Sequence, residues 1–372
     1  MASMEADVQG KDAGRSDSDL CFSKKNCVRL CVATVGLFTF IGLCLTYLPD
    51  EHKPIPLFRA PKRAVTLLIW ANPFGTRDIP NCSALYKIDG CRITDDRSEY
   101  ARADAVVFHH REIGAGSVQL PSEPRPSAQK WIWMNYESPS HSPRLGSFEG
   151  VFNLTMSYRK DSSIFIPYGS VVPVGREVTG VAQPLSTPSD SELSRPHFVA
   201  WVVSNWSQNQ ARVILYNKLR QYIDVDVFGH GHRPLPPESG NNVVQLVRQY
   251  LFYLAMENSQ HTDYMTEKLW NSIEAGAVPV VLGPSRKNYE RFLPPEAFIH
   301  VDDFPTVEEL ARYLQTLRVN PGRLKKHLDW RKGYSMHQIV FWREQYCTAC
   351  KAVRSSLGKT DVVQNLGEWY KS

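Results

Sequence analysis

The sequence predicts an α/β protein with two doubly wound domains, preceded by one membrane-spanning helix. Three observations carry this. Short apolar runs, each ended by a polar cluster, recur from Val65 to Val301 with helical or loop stretches between them, the alternation that builds parallel sheets. One stretch, Phe252 to Gly283, holds a complete strand–loop–helix–strand unit. An uncharged apolar run fills Leu30 to Leu48, about the ~20 residues that a bilayer core requires.

Met1 to Asp19 is polar and poor in aromatic residues, a composition that favours disorder. Lys24, Lys25 and Arg29 precede the apolar run, and Asp50 and Glu51 follow it. That asymmetry keeps residues 1–29 in the cytosol and makes residues 30–48 a retained type II signal anchor. A cleaved signal peptide is the competing reading, but the run lies far from the N-terminus and lacks a small-residue cleavage site. Cys21, Cys27 and Cys31 stand at the cytosolic edge as candidates for acylation. Residues 49–63 form a Pro-rich stem.

The first domain spans residues 64–180. Val65 to Trp70, Ala105 to Phe108 and Lys130 to Met134 read as its buried strands. The second ends in His109-His110-Arg111-Glu112 and the third in Asn135-Tyr136-Glu137, and ligands of such sheets bind beyond the strand ends. Glu137 follows an aromatic strand, so partial desolvation is expected to raise its proton affinity and suit it to general base work. A glutamate in a turn before Pro139 is the plain alternative. His109 and His110 are neighbours at a strand end and point opposite ways, which disfavours a shared metal. A structural ion pair between Arg159 and Asp161 is one explanation of the run Tyr158, Arg159, Asp161 and Ser162. Val171 to Pro196 is rich in Pro, Ser and Thr without periodicity and reads as linker, with the second domain starting after residues 181–196.

The second domain, residues 197–345, opens with a strand from Phe198 to Val203 and a helix from Gln210 to Tyr222, with Val213, Tyr216, Leu219 and Tyr222 near one face. Val225 to Phe228 is the next strand. Ser204 and Asn205 at a strand end can hydrogen-bond a phosphate or base, and Arg212 can grip phosphate through two N–H groups. A solvated helix arginine is the alternative for Arg212. Phe252 to Met256 is then a strand broken by Glu257-Asn258-Ser259. Asp263 or Thr266 caps a helix carrying Leu269, Trp270 and Ile273, which ends near Gly276. Val278 to Leu282 closes the unit. Tyr264, Glu267 and Lys268 lie at the helix mouth, where free N–H groups and the dipole favour an anion, and Glu267 suits a ribose diol. Tyr289 and Phe292 pack a further helix, and Phe298 to Val301 forms a strand. Asp302-Asp303 reads as a metal-chelating pair or as entry to a helix from Thr306 to Leu317. Trp330 to Cys350 returns to the first domain, with residues 346–372 as a tail upon it.

A net charge of +5 is too diffuse for nucleic acid and fits a small anionic substrate. No Walker loop or internal repeat occurs. Beyond the anchor stand Cys82, Cys91, Cys347 and Cys350. Their even number in an oxidising lumen suggests two disulfides of open connectivity; a zinc site is the rival, though Cys82 and Cys91 are spaced too widely for it. Asn81 and Asn153 head plausible lumenal sequons, and Asn205 heads a third.

Met256-Glu257-Asn258-Ser259 followed by Tyr264-Met265-Thr266-Glu267-Lys268 resembles the signature of the α1,3-fucosyltransferases, with Met256 and Met265 replacing the usual Phe and Ile/Val. The resemblance runs from about Val65 to the C-terminus. It implies a GT-B-like arrangement, with two Rossmann-like domains facing across a cleft, and inverting transfer of fucose from GDP-fucose to O3 of N-acetylglucosamine in lactosamine, as in Lewis x and sialyl Lewis x. It implies Glu137, in Glu137-Ser138-Pro139-Ser140-His141-Ser142-Pro143, as the base, and Arg212 and Lys268, with Tyr264 nearby, as the groups that stabilise departing GDP. Glu257 and Asn258 would line the donor pocket. His110 and Arg111 would border the acceptor, and Arg111 in place of Trp resembles members that make only the α1,3 link. The run Tyr158, Arg159, Asp161 and Ser162 also resembles a pattern of the family, which would place it at the cleft edge. If Asn205 faces GDP, its sequon is silent. The resemblance pairs Cys82 with Cys347 and Cys91 with Cys350. It implies no required metal or other cofactor, a Golgi membrane location with the catalytic body lumenal, and glycoprotein and glycolipid acceptors. Stimulation by Mn2+ and a homodimer are both compatible with it. The competing readings are α1,4 transfer and a lumenal glycan-binding scaffold without turnover.

Overall fold

The computed structural model describes residues 64–176, 182–187, 189 and 192–372. The expected cytosolic tail, anchor and stem lie outside them. Among the described residues no helix is long and apolar enough to cross a membrane.

Six strands make the first sheet: β1 (Val65–Ile69), β2 (Cys91–Thr94), β3 (Ala105–His109), β4 (Lys130–Asn135), β5 (Leu154–Ser157) and β6 (Ile164–Phe165). Their order is β2-β1-β3-β4-β5-β6, and every pairing is parallel. Every residue of β3 and β4 is buried, as a sheet covered on both faces demands.

The chain then lays down β7 (Gly169–Pro173) and β8 (Gln183–Pro184) before the second sheet: β9 (His197–Val202), β10 (Asp226–Phe228), β11 (Tyr250–Met256), β12 (Val278–Leu282) and β13 (Ile299–His300). This sheet is also all parallel, in the order β10-β9-β11-β12-β13. β11 lies at its centre and is buried throughout. The strand order turns back there, which opens a crevice at the carboxyl ends.

Two features depart from expectation. β7 and β8 lie within the stretch read as linker without periodicity. Both pair antiparallel with β14 (Tyr334–Gln338) in a third sheet ordered β7-β14-β8. Pairing with a strand some 160 residues away in the chain leaves no local periodic signal. The helix expected to reach Tyr222 spans Ala211–Leu219, and Tyr222 is exposed. Its buried face is Arg212, Val213, Leu215 and Leu219, with Tyr216 partly buried against the same core.

After β14 the chain rejoins the first sheet. Ile339, Tyr346, Ala349, Val353, Leu366 and Tyr370 pack in the same core as Leu67, Val107 and Trp133. Cys82 is bonded to Cys347 and Cys91 to Cys350, fastening the helix Arg343–Ser355 to β2 and to the short helix Cys82–Tyr86. Each bridge closes a loop of about 260 residues, 265 for one and 259 for the other, so each strongly restricts the unfolded chain. Replacing Cys91 and Cys350 together by Ser is expected to lower stability by about 2–4 kcal/mol. The check is a lower denaturant midpoint, with a steeper slope because the released unfolded chain exposes more surface.

Candidate active site

The turn after β4 presents Glu137. Asn135 is buried at the strand end and accepts the Glu137 N–H through Oδ1 at 3.2 Å, while its Nδ2 donates to Ser142 Oγ at 2.7 Å. Ser142 Oγ in turn donates to the Ser138 carbonyl at 2.8 Å. This closed loop of bonds shapes the turn and leaves Glu137 exposed. The expected partial desolvation of Glu137 is therefore corrected: the buried aromatic residues precede it, and its own side chain emerges from the turn. What holds it is hydrogen bonding. Oε1 accepts from Ser138 N at 3.1 Å and from the Tyr264 hydroxyl at 2.9 Å. The Glu137 carbonyl accepts from the Tyr370 hydroxyl at 2.5 Å.

Tyr264 arrives from the second lobe, in the loop between β11 and the helix Glu267–Ala275. Burial raises its pKa, with Tyr168, Glu257 and Glu137 adding to the effect, so the hydroxyl stays protonated and donates. It is packed in the core of the first lobe, 5.1 Å from the Tyr158 ring.

Beside Glu137 opens a cavity of about 570 Å³, lined by Phe74, His109, Arg111, His141, Tyr168 and Trp342 among others. Arg111 is exposed and lies 4.5 Å over the Phe74 ring, which stacks on Trp342. His110 borders the cavity but has both ring nitrogens engaged inside the lobe. Trp133 Nε1 donates to its Nδ1 at 3.0 Å, and its Nε2 donates to the Pro143 carbonyl at 3.0 Å. His110 thus borders the cavity, as the resemblance implied, as a packed histidine whose ring nitrogens hold Trp133 and the Pro143 carbonyl. Burial holds its pKa down at about 4.

In the second lobe Glu257 caps β11 with a side chain fully out of solvent. Its Oε1 accepts from Thr266 N at 2.8 Å, and its Oε2 from Lys268 Nζ at 3.1 Å. Thr266 Oγ1 donates to Glu257 and accepts from Lys268 Nζ at 2.7 Å. Lys268 also pairs with Glu267 at 3.2 Å and keeps 17% of its side chain exposed. Burial works against the lysine's charge, but Glu257 and Glu267 outweigh it and raise its pKa. Two expectations change here. Glu257 does not line a pocket, because it is spent on Thr266 and Lys268. Thr266 stands at the N-cap position without capping, because its hydroxyl serves that same pair. Gly276 ends the helix in the left-handed conformation, as its position suggested.

Arg212 is 3% exposed. Its Nε donates to Gln210 Oε1 at 3.0 Å and its Nη2 to the Asn205 carbonyl. Burial lowers its pKa, against the pull of Glu257, Tyr264 and Glu267; those three groups therefore lie within its electrostatic reach. It is not a solvated helix arginine. Ser204, Asn205 and Glu267 are exposed and Asn258 is half-buried.

Comparison with known proteins identifies the family. The model "Fucosyltransferase, N-terminal" matches residues 62–169, and "Glycosyltransferase family 10 (fucosyltransferase) C-term" matches residues 193–369. The chain belongs to glycosyltransferase family 10, the fucosyltransferases. It is 44% identical to Alpha-(1,3)-fucosyltransferase 4 of Homo sapiens, over 92% of this chain and 71% of that one. It is 48% identical to the Homo sapiens 4-galactosyl-N-acetylglucosaminide 3-alpha-L-fucosyltransferase FUT6, over 76% of this chain and 77% of the relative. A crystal structure of an alpha1,3-fucosyltransferase with GDP-fucose superposes with a TM-score of 0.52 at 17% identity, covering 81% of this chain and 92% of that one. That likeness shows the shared GT-B-like α/β fold.

Other parts of this fucosyltransferase are settled by local contacts. Asp303 is ion-paired with Arg286, and Asp302 lies 3.8 Å from His300; among the described residues no cluster of His, Cys, Asp or Glu is arranged to hold a metal. Arg159 and Asp161 do form the structural ion pair, at 2.8 Å. Asn81 is exposed and caps its helix through Oδ1. Asn153 Nδ2, the atom that would carry an N-glycan, donates to the Asp361 carbonyl at 3.0 Å, and a glycosylated amide keeps one N–H for that bond. Tyr370, Tyr168 and Trp342 had no sequence signal, because each reaches the cleft through long-range packing.

Two outcomes follow from these contacts. Lys268→Ala removes a cation and strands buried Glu257, so GDP affinity and melting temperature are both expected to fall; calorimetry and thermal denaturation read them. The depressed pKa of His110 makes the fold favour its neutral form. That contribution is complete above the ordinary histidine pKa of 6.5 and is lost as pH falls from there toward about 4. Wild type should therefore lose melting temperature more steeply than His110→Gln across that window.

Proposed function

We propose that the protein transfers L-fucose from GDP-fucose to O3 of N-acetylglucosamine in lactosamine-type glycans, with inversion at the anomeric carbon. The observation that carries this is the Tyr264–Glu137 hydrogen bond at 2.9 Å. It joins the one proposed base, on the rim of a sugar-sized cavity, to the loop whose next residues hold the lysine. The names of the relatives, two of them α1,3-fucosyltransferases, and the GDP-fucose in the structural neighbour support the same substrates.

The acceptor enters the cavity over Phe74 and Trp342 and meets Glu137. Both hydrogen bonds to that carboxylate fall on Oε1, so Oε2 is the oxygen that takes the proton. As the acceptor oxygen bonds to the anomeric carbon, the bond from that carbon to the diphosphate breaks, through an oxocarbenium-like state. Arg212 and Lys268 receive the charge that grows on GDP. Both are fixed beforehand, one by burial against neutral acceptors and one by Glu257, so little reorganisation is needed. Glu267 holds the ribose, and Ser204, Asn205 and Asn258 line the donor site. Two side-chain cations do the charge work of a divalent ion, so transfer runs without an obligatory metal, and Mn2+ acts at most as a stimulant. On the same reading Leu30 to Leu48 anchors the enzyme in the Golgi membrane as a single-pass type II protein with its body lumenal, and Asn81 carries a glycan.

A transfer assay with the full-length enzyme, GDP-fucose and lactosamine tests this. Glu137→Gln is expected to cut turnover by about 10²-fold or more with GDP affinity as in wild type. Loss of GDP binding in that variant would contradict the role. The wild-type rate should persist in excess EDTA; its abolition would sink the metal-free reading.

A further inference from the structure

Asp263 stands one residue before Tyr264 and is buried, with a backbone φ of 61°. Its Oδ1 accepts from Asn288 Nδ2 at 2.6 Å and from Arg291 Nη1 at 3.3 Å. Its Oδ2 accepts from the backbone N–H of Lys160 at 2.9 Å. Its own N–H donates to Asn288 Oδ1 at 2.7 Å. Lys160 belongs to the turn that joins β5 to β6 in the first lobe, whereas Asn288 and Arg291 belong to the segment after β12 in the second. One buried carboxylate thus takes donors from both lobes, and the next residue enters the first lobe's core to reach Glu137.

We propose that Asp263 is a positioning residue for transfer. It pins the loop after β11 onto the first lobe, so that the Tyr264 hydroxyl stays on the Glu137 carboxylate. The proposal rests on Glu137 as the base. Its rival is a purely conformational role, since Asp, Asn and Gly are the residues that accept a positive φ. The two roles part in their chemistry. Asn keeps the conformation but turns one acceptor oxygen into a donor, so that either the Lys160 N–H or the Asn288 amide meets an N–H group. Gly keeps the conformation and removes every side-chain contact. Both substitutions should free the loop while leaving Arg212 and Lys268 in place.

The test uses the full-length enzyme with GDP-fucose and lactosamine, measuring kcat, GDP affinity and melting temperature. Asp263→Asn and Asp263→Gly are each expected to lower kcat about tenfold or more, equivalent to at least ~1.4 kcal/mol, with GDP affinity unchanged. Tyr264→Phe should show a similar loss, and combining it with Asp263→Gly should add little, because both act on one contact. Wild-type kcat in Asp263→Gly would leave only the conformational role. A loss that appears in GDP affinity, or a double variant that multiplies the two single losses, would also overturn the proposal. If the Asp263 variants do not fold, Asn288→Ala loosens the clamp from the second lobe, and wild-type kcat there would count against it. Should Glu137→Gln abolish transfer while these variants stay fully active, this inference alone fails and the assignment of the base stands.

Discussion

One phenol holds the two lobes to a common geometry. The Tyr264 hydroxyl can donate to Glu137 only while the loop after β11 reaches across the cleft, and only while the phenol keeps its proton. Burial secures the proton. Packing secures the reach, because the ring sits in the aromatic core that also holds Tyr158 and Tyr370. Much else in the fold serves this distance. The disulfides and the helix Arg343–Ser355 bind the returning chain to the first sheet, and β14 ties β7 and β8 beside it. Tyr370, near the end of that returning chain, then grips the main chain of Glu137 itself.

The second lobe solves a separate problem. On the proposed reading Lys268 meets a diphosphate, and it has to remain charged where most of its side chain is out of water. An unpaired ammonium there would be costly, and a surface ion pair would wander. Glu257 answers both needs from beneath, with Thr266 bridging carboxylate and ammonium. Arg212 is handled differently. It is buried against an amide oxygen and a carbonyl, neutral acceptors that leave its charge uncompensated at contact distance. In the proposed transfer this pair of cations stabilises the negative charge that grows on the departing diphosphate, since the fixed charge is already in place when the bond breaks.

Spatial neighbours decide what several of these groups do. Family resemblance places Glu257 and His110 at ligand pockets, and its sequon makes Asn153 a glycan site. In the fold each spends its polar atoms on partners that are close in space: Lys268 and Thr266, Trp133 and the Pro143 carbonyl, and the Asp361 carbonyl. Glu137 goes the opposite way, since a buried aromatic strand ends just before it and the turn then carries it outward. Local composition reports the solvent exposure of a segment's average, not of one side chain at a turn.

From the sequence alone came the parallel-sheet architecture, the strand–loop–helix–strand unit from Phe252 to Gly283 and the charged set Glu137, Arg212, Glu257, Glu267 and Lys268. Those depend on apolar runs, caps and short motifs, which are local and so are written in contiguous residues. The family signature lies in the same short stretch. Only the tertiary structure decided which of those groups face the cleft and which stand behind it. It alone brought Tyr264 and Tyr370 onto Glu137 and set Asp263 between the lobes, and turned an expected linker into two strands paired with β14. Each of these choices is made by contacts between residues far apart in the chain, where spacing carries no record of which partner a side chain will meet.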